Sequence, residues 1–317
     1  AIIAIMQDRY LVATITYSIL LMFKHIFLYS APVFGLIVLR QYVCRRAGQP
    51  YINYIKHTFV LIAVVLPILA LSFGPFVTRD LHQLKQMASR LFPFDRGLVH
   101  EYMAANAWEL FVIYKKYLVG LMEWHATGEK PLFRFDSLAD LAFYKKVSLS
   151  LVIVFLAPLC LKMLSNLNRA NFCRYLAVCN FIAFNFGFHV HEKALLLVTV
   201  PLGIDLCINK SQVACRRFNL LKTLLLWTHM PLVFTEYESI VLHVIWLLDF
   251  KAKVDAPENS TKELIYRYLN AVVSVIIISV ECLWMYFAFF SEFDTKLKEN
   301  IFFRYSELVP SIAAIFL

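Results

Sequence analysis

The sequence predicts an all-α membrane protein built of polytopic transmembrane helices, and three observations carry the prediction. Apolar runs long enough to span about 30 Å of hydrocarbon recur along the chain. Of its 317 residues, 60% are hydrophobic and only 17% charged, far too little polar surface for a soluble domain of this length. The net charge of +9 sits in short segments between apolar runs, which is the positive-inside pattern and not the footprint of a nucleic-acid partner. The seven cysteines fall mostly in or beside apolar segments, without a CxxC pair or a zinc spacing, and read as reduced, packed thiols. The chain opens Ala1-Ile2-Ile3 with no initiator methionine or signal sequence and ends Ile315-Phe316-Leu317 inside an apolar run, so it is expected to be a piece of a longer protein.

Residues 1–317 are expected to form a single transmembrane domain. Ala1–Met6 resembles the tail of a helix, and Gln7-Asp8-Arg9 is polar. Leu11–Leu39 is apolar except for Lys24 and His25 near its middle, which suits two short helices meeting at one face better than one straight span. Arg40–Lys56 holds Arg40, Arg45, Arg46 and Lys56 with no acid and reads as a cytosolic loop; Thr58–Phe76 then crosses to the other side. Residues 77–146 mix charges of both signs with punctuation at Pro93 and Gly97 and amphipathic stretches around Trp108–Met122. They read as a large lumenal loop with interfacial helices, the alternative being an extra span over Ala107–Trp124 interrupted by Lys115 and Lys116. The remaining spans are Val147–Leu164, Tyr175–Phe188, Ala194–Cys207, Leu220–Phe234, Ile240–Phe250, Ala271–Phe290 and Leu308–Leu317.

The loops with Arg169 and Arg174, and with Lys210, Arg216 and Arg217, are basic without acids and belong with Arg40–Lys56 on the cytosolic face. Counting crossings from there puts the Lys24–His25 break, the 77–146 loop, the His189–Lys193 corner and Thr235–Ser239 together on the opposite face. An extra span over Ala107–Trp124 would move the corner to the basic side and undo this convergence.

That corner is the chain's densest polar feature. His189, His191, Glu192 and Lys193 lie within five positions, wedged between two apolar runs. Ionisable groups at a bilayer boundary mark function more often than packing; the alternative is a pair of helix ends whose charges snorkel to the headgroups. His189, His191, Lys193, Lys24, His25, Arg79, Arg90 and Arg96 all fall on one face, and cationic donors beneath a membrane surface suit a phosphate on a lipid carrier. Lysine supplies a point charge, and arginine can hold two phosphate oxygens at once. Zinc is the weaker reading, since an i, i+2 histidine pair projects both rings together only in extended chain and no third ligand is evident. No GxSxG, Walker or Rossmann glycine pattern supports a hydrolase, an NTPase or a dehydrogenase.

A second block, Arg90 through Leu98, sets Asp95 and Arg96 between Pro93, which biases Phe92 toward extended backbone, and Gly97, which permits a turn. It reads equally as a functional loop or as an interfacial turn in which Asp95 and Arg96 pair. Resemblance decides more. Lys24-His25-Ile26-Phe27-Leu28-Tyr29-Ser30-Ala31-Pro32, Ser72-Phe73-Gly74-Pro75-Phe76, Arg90 through Gly97, Asn106-Ala107-Trp108 and His189-Val190-His191-Glu192-Lys193 stand in the order found in the endoplasmic-reticulum glucosyltransferases that use dolichyl phosphate glucose. The chain resembles that family over residues 24–193, and beyond about Asp205 mainly in hydropathy.

The resemblance implies a GT-C-type glycosyltransferase, multi-pass in the endoplasmic reticulum membrane, with its active site facing the lumen and no cofactor or metal. Glucose would leave β-linked dolichyl phosphate glucose and join a dolichyl-diphosphate oligosaccharide through an α-1,3 linkage, with inversion. A carboxylate must then take the acceptor proton. In the family this residue belongs to a first lumenal loop that precedes the part matched here, so neither Glu192 nor Asp95 is assigned as base, and the chain alone is expected to be inactive. His191 and Lys193 would contact the donor phosphate, with His189 orienting them or touching the sugar and Arg96 as a further phosphate ligand. Lys24, His25, Asp95 and Glu192 would line the acceptor wall, Glu192 alternatively being only a paired charge for Lys193 or Arg96. The full His-Val-His-Glu-Lys, where the enzyme adding the first glucose tends to show Gln-Val-His-Glu-Lys, points to the enzyme adding the second, whose acceptor is Glc1Man9GlcNAc2 on dolichyl diphosphate; the sister activity toward Man9GlcNAc2 is the alternative.

A transporter or scramblase of lipid-linked sugars would use the same cationic corner without chemistry, but it needs a polar path reaching both faces. Membrane lipids are partners in either reading. Trp108, Trp124, Trp227, Trp246 and Trp284 suit belt and packing positions. Asn259-Ser260-Thr261 is a glycosylation sequon that this topology puts on the cytosolic face. No glycan is therefore expected at Asn259; a glycosidase-sensitive mobility shift that disappears on Asn259→Gln would show the crossings to be miscounted.

Overall fold

The computed structural model describes residues 1–44, 50–78, 80, 82–91, 98, 105–114, 122 and 138–209, with isolated positions between 215 and 279. Asp95, Arg96, Arg79, the proposed spans from Leu220 onward and the Asn259 sequon lie outside these residues. Every described element is helical: α1 (Ile2–Met6), α2 (Tyr10–Phe23), a 3-10 segment (His25–Ser30), α3 (Ala31–Val38) widening into a π turn (Leu39–Val43), α4 (Tyr51–Val77), α5 (His82–Leu91), α6 (Ala107–Ile113), α7 (Leu138–Asn166), α8 (Phe172–Phe186), a 3-10 turn (Glu192–Leu195) and α9 (Leu196–Asn209). Among the described residues three segments, His25–Val43, Tyr51–Val77 and Ala142–Asn166, are long and apolar enough to cross a membrane.

Contacts divide the chain into two units. The first comprises Ala1–Leu98, Phe135–His189 and Leu197–Lys210. Its core is the seam of α1, α2, α3, α7 and α8, where Ile5, Ala13, Val33, Ile37, Met163, Leu167, Phe172, Leu176 and Cys179 are buried. Tyr17 stacks on Phe34 with ring centroids 4.1 Å apart, and Phe34 meets Phe172 edge-on at 5.2 Å. By contrast α4 buries none of its residues, and Ile52, Ile55, Phe59, Ile62, Leu66 and Leu71 are exposed along it. It meets the bundle only through half-buried residues such as Leu61, and an apolar helix so widely exposed suits a lipid solvent better than water.

Helix ends fix the direction of each element. At one end, the Arg169 end, the Arg169 guanidinium pairs with Asp8 at 2.5 Å, joining the turn before α2 to the turn before α8. There the Arg40 guanidinium donates to the carbonyls of Leu164 (2.6 Å) and Met163 (3.2 Å), and Gln41 Nε2 donates to that of Leu167 (3.3 Å). The Leu164 carbonyl needs the Arg40 donor because the Asn168 N–H turns to Asn171 Oδ1, whereas that of Met163 also accepts from the Leu167 N–H at 3.0 Å. Asn168 and Asn171 exchange backbone and side-chain hydrogen bonds across the α7–α8 turn. Arg174 Nε lies 3.3 Å from Asp205, a carboxylate only 1% exposed, which brings the end of α9 to the same place.

From the Arg169 end α2 and α8 run the same way, so the Lys24–His25 break that follows α2 and His189, just beyond α8, share the opposite end. This is the Lys24 end. There Ser148 of α7 donates to the Phe186 carbonyl at 2.6 Å, and the His189 N–H donates to the Leu98 carbonyl at 3.0 Å. His189 sits at φ 53, in the left-handed region that histidine enters more readily than most non-glycine residues. A buried amide ties these elements together. Asn180 of α8, 2% exposed, accepts from Ser30 Oγ at 2.9 Å and donates from Nδ2 to the Leu197 carbonyl at 2.9 Å. That carbonyl lacks its helix donor because the residue four positions on is Pro201.

Of the second unit, Val99–Arg134, Val190–Leu196 and Ser211–Leu317, the described parts are α6 with its cap, the corner turn and isolated positions. Asn106 caps α6, its Oδ1 accepting from the Trp108 N–H at 3.1 Å. Trp108, Glu109 and Val112 are buried.

Several expected boundaries move. The predicted break at Lys24–His25 is present, between α2 and the 3-10 segment. The expected cytosolic loop Arg40–Lys56 is shorter, because the π turn carries the chain helically to Val43 and α4 starts at Tyr51, directly after Pro50. Proline lacks an N–H and tends to occur at helix starts, where a donor would be unsatisfied anyway. The span expected over Val147–Leu164 belongs to a helix that starts at Leu138, so the stretch 77–146 contains α5, α6 and the first turns of α7.

Replacing Asn180 with Ala leaves the Ser30 hydroxyl and the Leu197 carbonyl without partners in a buried place. The expected loss is about 1–3 kcal/mol for each orphaned group. Thermal unfolding of the detergent-purified protein checks this: Asn180→Ala should lower the midpoint clearly more than Ser30→Ala, and equal midpoints would show the amide to be dispensable.

Candidate functional site

The sequence-predicted residues are distributed between the two units. Lys24 and His25 stand at the break after α2, both exposed, with Lys24 extended (φ −155, ψ 122). The chain turns there because the 3-10 segment folds back into the bundle, held by Tyr17, whose hydroxyl donates to the Phe27 carbonyl at 2.7 Å, and by Cys179 Sγ, 3.2 Å from the Tyr29 carbonyl. With His189 these residues occupy the Lys24 end of the first unit.

His191, Glu192 and Lys193 belong to the second unit. His191 is extended (φ −86, ψ 151), half-buried, and caps the short 3-10 turn through its carbonyl, which accepts from the Ala194 N–H at 3.0 Å. Successive residues of a 3-10 helix point about 120° apart. Glu192 accordingly turns inward, 5% exposed, while Lys193 is exposed. No described residue hydrogen-bonds the buried Oε2 of Glu192. The alternative reading of Glu192 as a paired charge for Lys193 is not met in the described turn, where the two side chains face apart.

The turn can therefore offer cationic or N–H donors from His191 and Lys193 to an anion without the intervening acid neutralising them. Among the described residues no group of three metal-ligating side chains occurs. Two polar residues of consequence are missing from the sequence reading. Asn180 looks like any amide in an apolar run, and only the spacing of Leu197 to Pro201 hinted that a donor was needed. Glu109, 1% exposed, follows the motif Asn106-Ala107-Trp108, whose asparagine is now explained as a helix cap.

Helices of membrane-crossing length, one of them apolar with no fully buried residue, and a cationic turn define a membrane protein with a polar site at a helix end. The family model described as the ALG6, ALG8 glycosyltransferase family matches residues 1–316, and the chain belongs to that family. It is 34% identical over 216 residues to a Drosophila melanogaster protein named probable dolichyl pyrophosphate Glc1Man9GlcNAc2 alpha-1,3-glucosyltransferase, covering 65% of this chain and 41% of that one. With the Bos taurus protein of that name, without "probable", it shares 33% over 261 residues, covering 76% and 48%. With the Candida albicans protein it shares 28% over 294 residues, covering 80% and 49%. The chain spans about half the length of these relatives.

The opposition of the two ends is testable by chemistry alone. In a cysteine-depleted protein in sealed membrane vesicles, an impermeant maleimide should label Cys44, which is exposed, and a cysteine replacing Lys24 from opposite faces. Labelling of both from one face would dissolve the two-ended arrangement.

Proposed function

We propose that the enzyme containing this chain transfers glucose from dolichyl phosphate glucose to Glc1Man9GlcNAc2 on dolichyl diphosphate, forming an α-1,3 linkage with inversion. The observation that carries the reading is the family match together with the names of the relatives, which specify that acceptor. In this reading the fold is of GT-C type and the enzyme resides in the endoplasmic reticulum membrane with the Lys24 end toward the lumen. The family includes the enzyme of the first glucose, so transfer to Man9GlcNAc2 is the second reading.

The acceptor hydroxyl oxygen attacks the anomeric carbon of glucose from the face opposite the phosphate. The bond from that carbon to the phosphate oxygen breaks, its electron pair leaving with dolichyl phosphate, while a carboxylate takes the hydroxyl proton. Charge develops on the departing phosphate, and donors fixed in place before the reaction stabilise it most. His191, on extended backbone, and the exposed Lys193 have the chemistry for this task, with His189 and Arg96 as further donors and Lys24, His25 and Asp95 toward the acceptor.

The experiment supplies full-length enzyme with dolichyl phosphate glucose and acceptors bearing no glucose or one. Transfer to the monoglucosylated acceptor alone is expected; transfer to the other alone assigns the sister activity, and transfer to neither rejects the reading. His191→Ala should lower turnover by roughly tenfold or more, and unchanged kinetics in folded protein would remove His191 from the site.

A further inference from the structure

Glu192 presents an unusual combination. It is 5% exposed, its Oε2 is buried with no hydrogen-bond partner among the described residues, and it lies between two residues suited to binding an anion. A buried carboxylate oxygen without a donor is costly, and proteins normally answer it with a cation, a hydrogen-bond donor or a ligand. The adjacent cation does not answer it, because the 3-10 turn directs Lys193 outward. We infer that Glu192 binds the sugar of the donor, its Oε2 accepting a hydrogen bond from one hydroxyl of the glucosyl ring.

The inference rests on the glucosyl phosphate donor of the proposed function and moves Glu192 from the acceptor wall, where the sequence reading set it, to the donor sugar. In a glycosyl phosphate the anion is attached directly to a ring rich in neutral O–H donors. A site for it needs cationic groups and a hydrogen-bond acceptor a short distance apart, yet not paired with each other. The corner has that division: His191 and Lys193 on either side in sequence, and an inward acid between them that neutralises neither. A hydroxyl satisfies the carboxylate by a charge-assisted bond that engages neither flanking side chain. A carboxylate so engaged is a sugar-binding group and not the acceptor's base.

The test pairs substitution with removal of single hydroxyls from the donor. Full-length wild type, Glu192→Gln and Glu192→Ala are assayed with dolichyl phosphate glucose and with monodeoxyglucosyl dolichyl phosphates that each lack one ring hydroxyl. Wild type should lose roughly tenfold or more in kcat/KM with one of the deoxy donors. Glu192→Ala should lose a similar factor with the normal donor, and less than about twofold further with that deoxy donor, since the bond is already gone, while Glu192→Gln, whose amide oxygen still accepts from the hydroxyl, should lose less. The penalty is a ratio within one protein, so partial misfolding of a variant cancels. A deoxy penalty of the same size in wild type and Glu192→Ala, or none in wild type, overturns the inference while leaving the proposed function standing. Absence of transfer from every glucosyl donor by wild type would instead reject the proposed function, and this inference with it.

Discussion

Pro201 removes the donor that the Leu197 carbonyl would otherwise have found within α9, and the Lys24 end is organised around the amide that replaces it. In a lipid solvent a freed backbone carbonyl has no water to turn to, so the protein must supply the partner. Asn180 does so from α8, and its remaining acceptor is taken up by Ser30, 150 residues earlier in the chain. One side chain thus holds three elements in register: the helix that leads into the corner, the helix that leads out of it, and the segment that follows Lys24 and His25. The same device recurs at lower stakes where Ser148 meets the Phe186 carbonyl and where Arg40 meets that of Leu164. Polar side chains within this bundle serve the backbone first.

What was legible in the sequence follows from what hydropathy measures. The break at Lys24–His25 was visible because a charged pair cannot lie in the middle of a hydrophobic span without ending it. Helix ends were not, because polarity reports contact with lipid and a helix does not stop when it leaves lipid. Tyr51–Lys56 and Leu138–Lys146 are polar or mixed and helical nonetheless. The Asn180 connection was half written in the Leu197–Pro201 spacing, but its partner could be identified only once α8 lay against α9. For Glu192 the sequence offered Lys193 as a neighbour in charge; in a 3-10 turn neighbours in sequence face apart.

The corner owes its character to being short. In this four-residue turn Glu192, Ala194 and Leu195 are buried and only Lys193 is exposed, so an acid and a base adjacent in sequence are given separate environments. The Asn106-Ala107-Trp108 motif is a contrasting case, where the asparagine of a segment resembling part of a functional signature caps a helix.

The lengths of α2 and α8 carry a further implication. Both leave the exposed Asp8–Arg169 pair and stop after 14 and 15 residues, which at 1.5 Å per residue is about 21–23 Å. A hydrocarbon layer is about 30 Å thick. The Lys24 end therefore forms a recess below the plane of the far headgroups, or the bilayer thins to meet it.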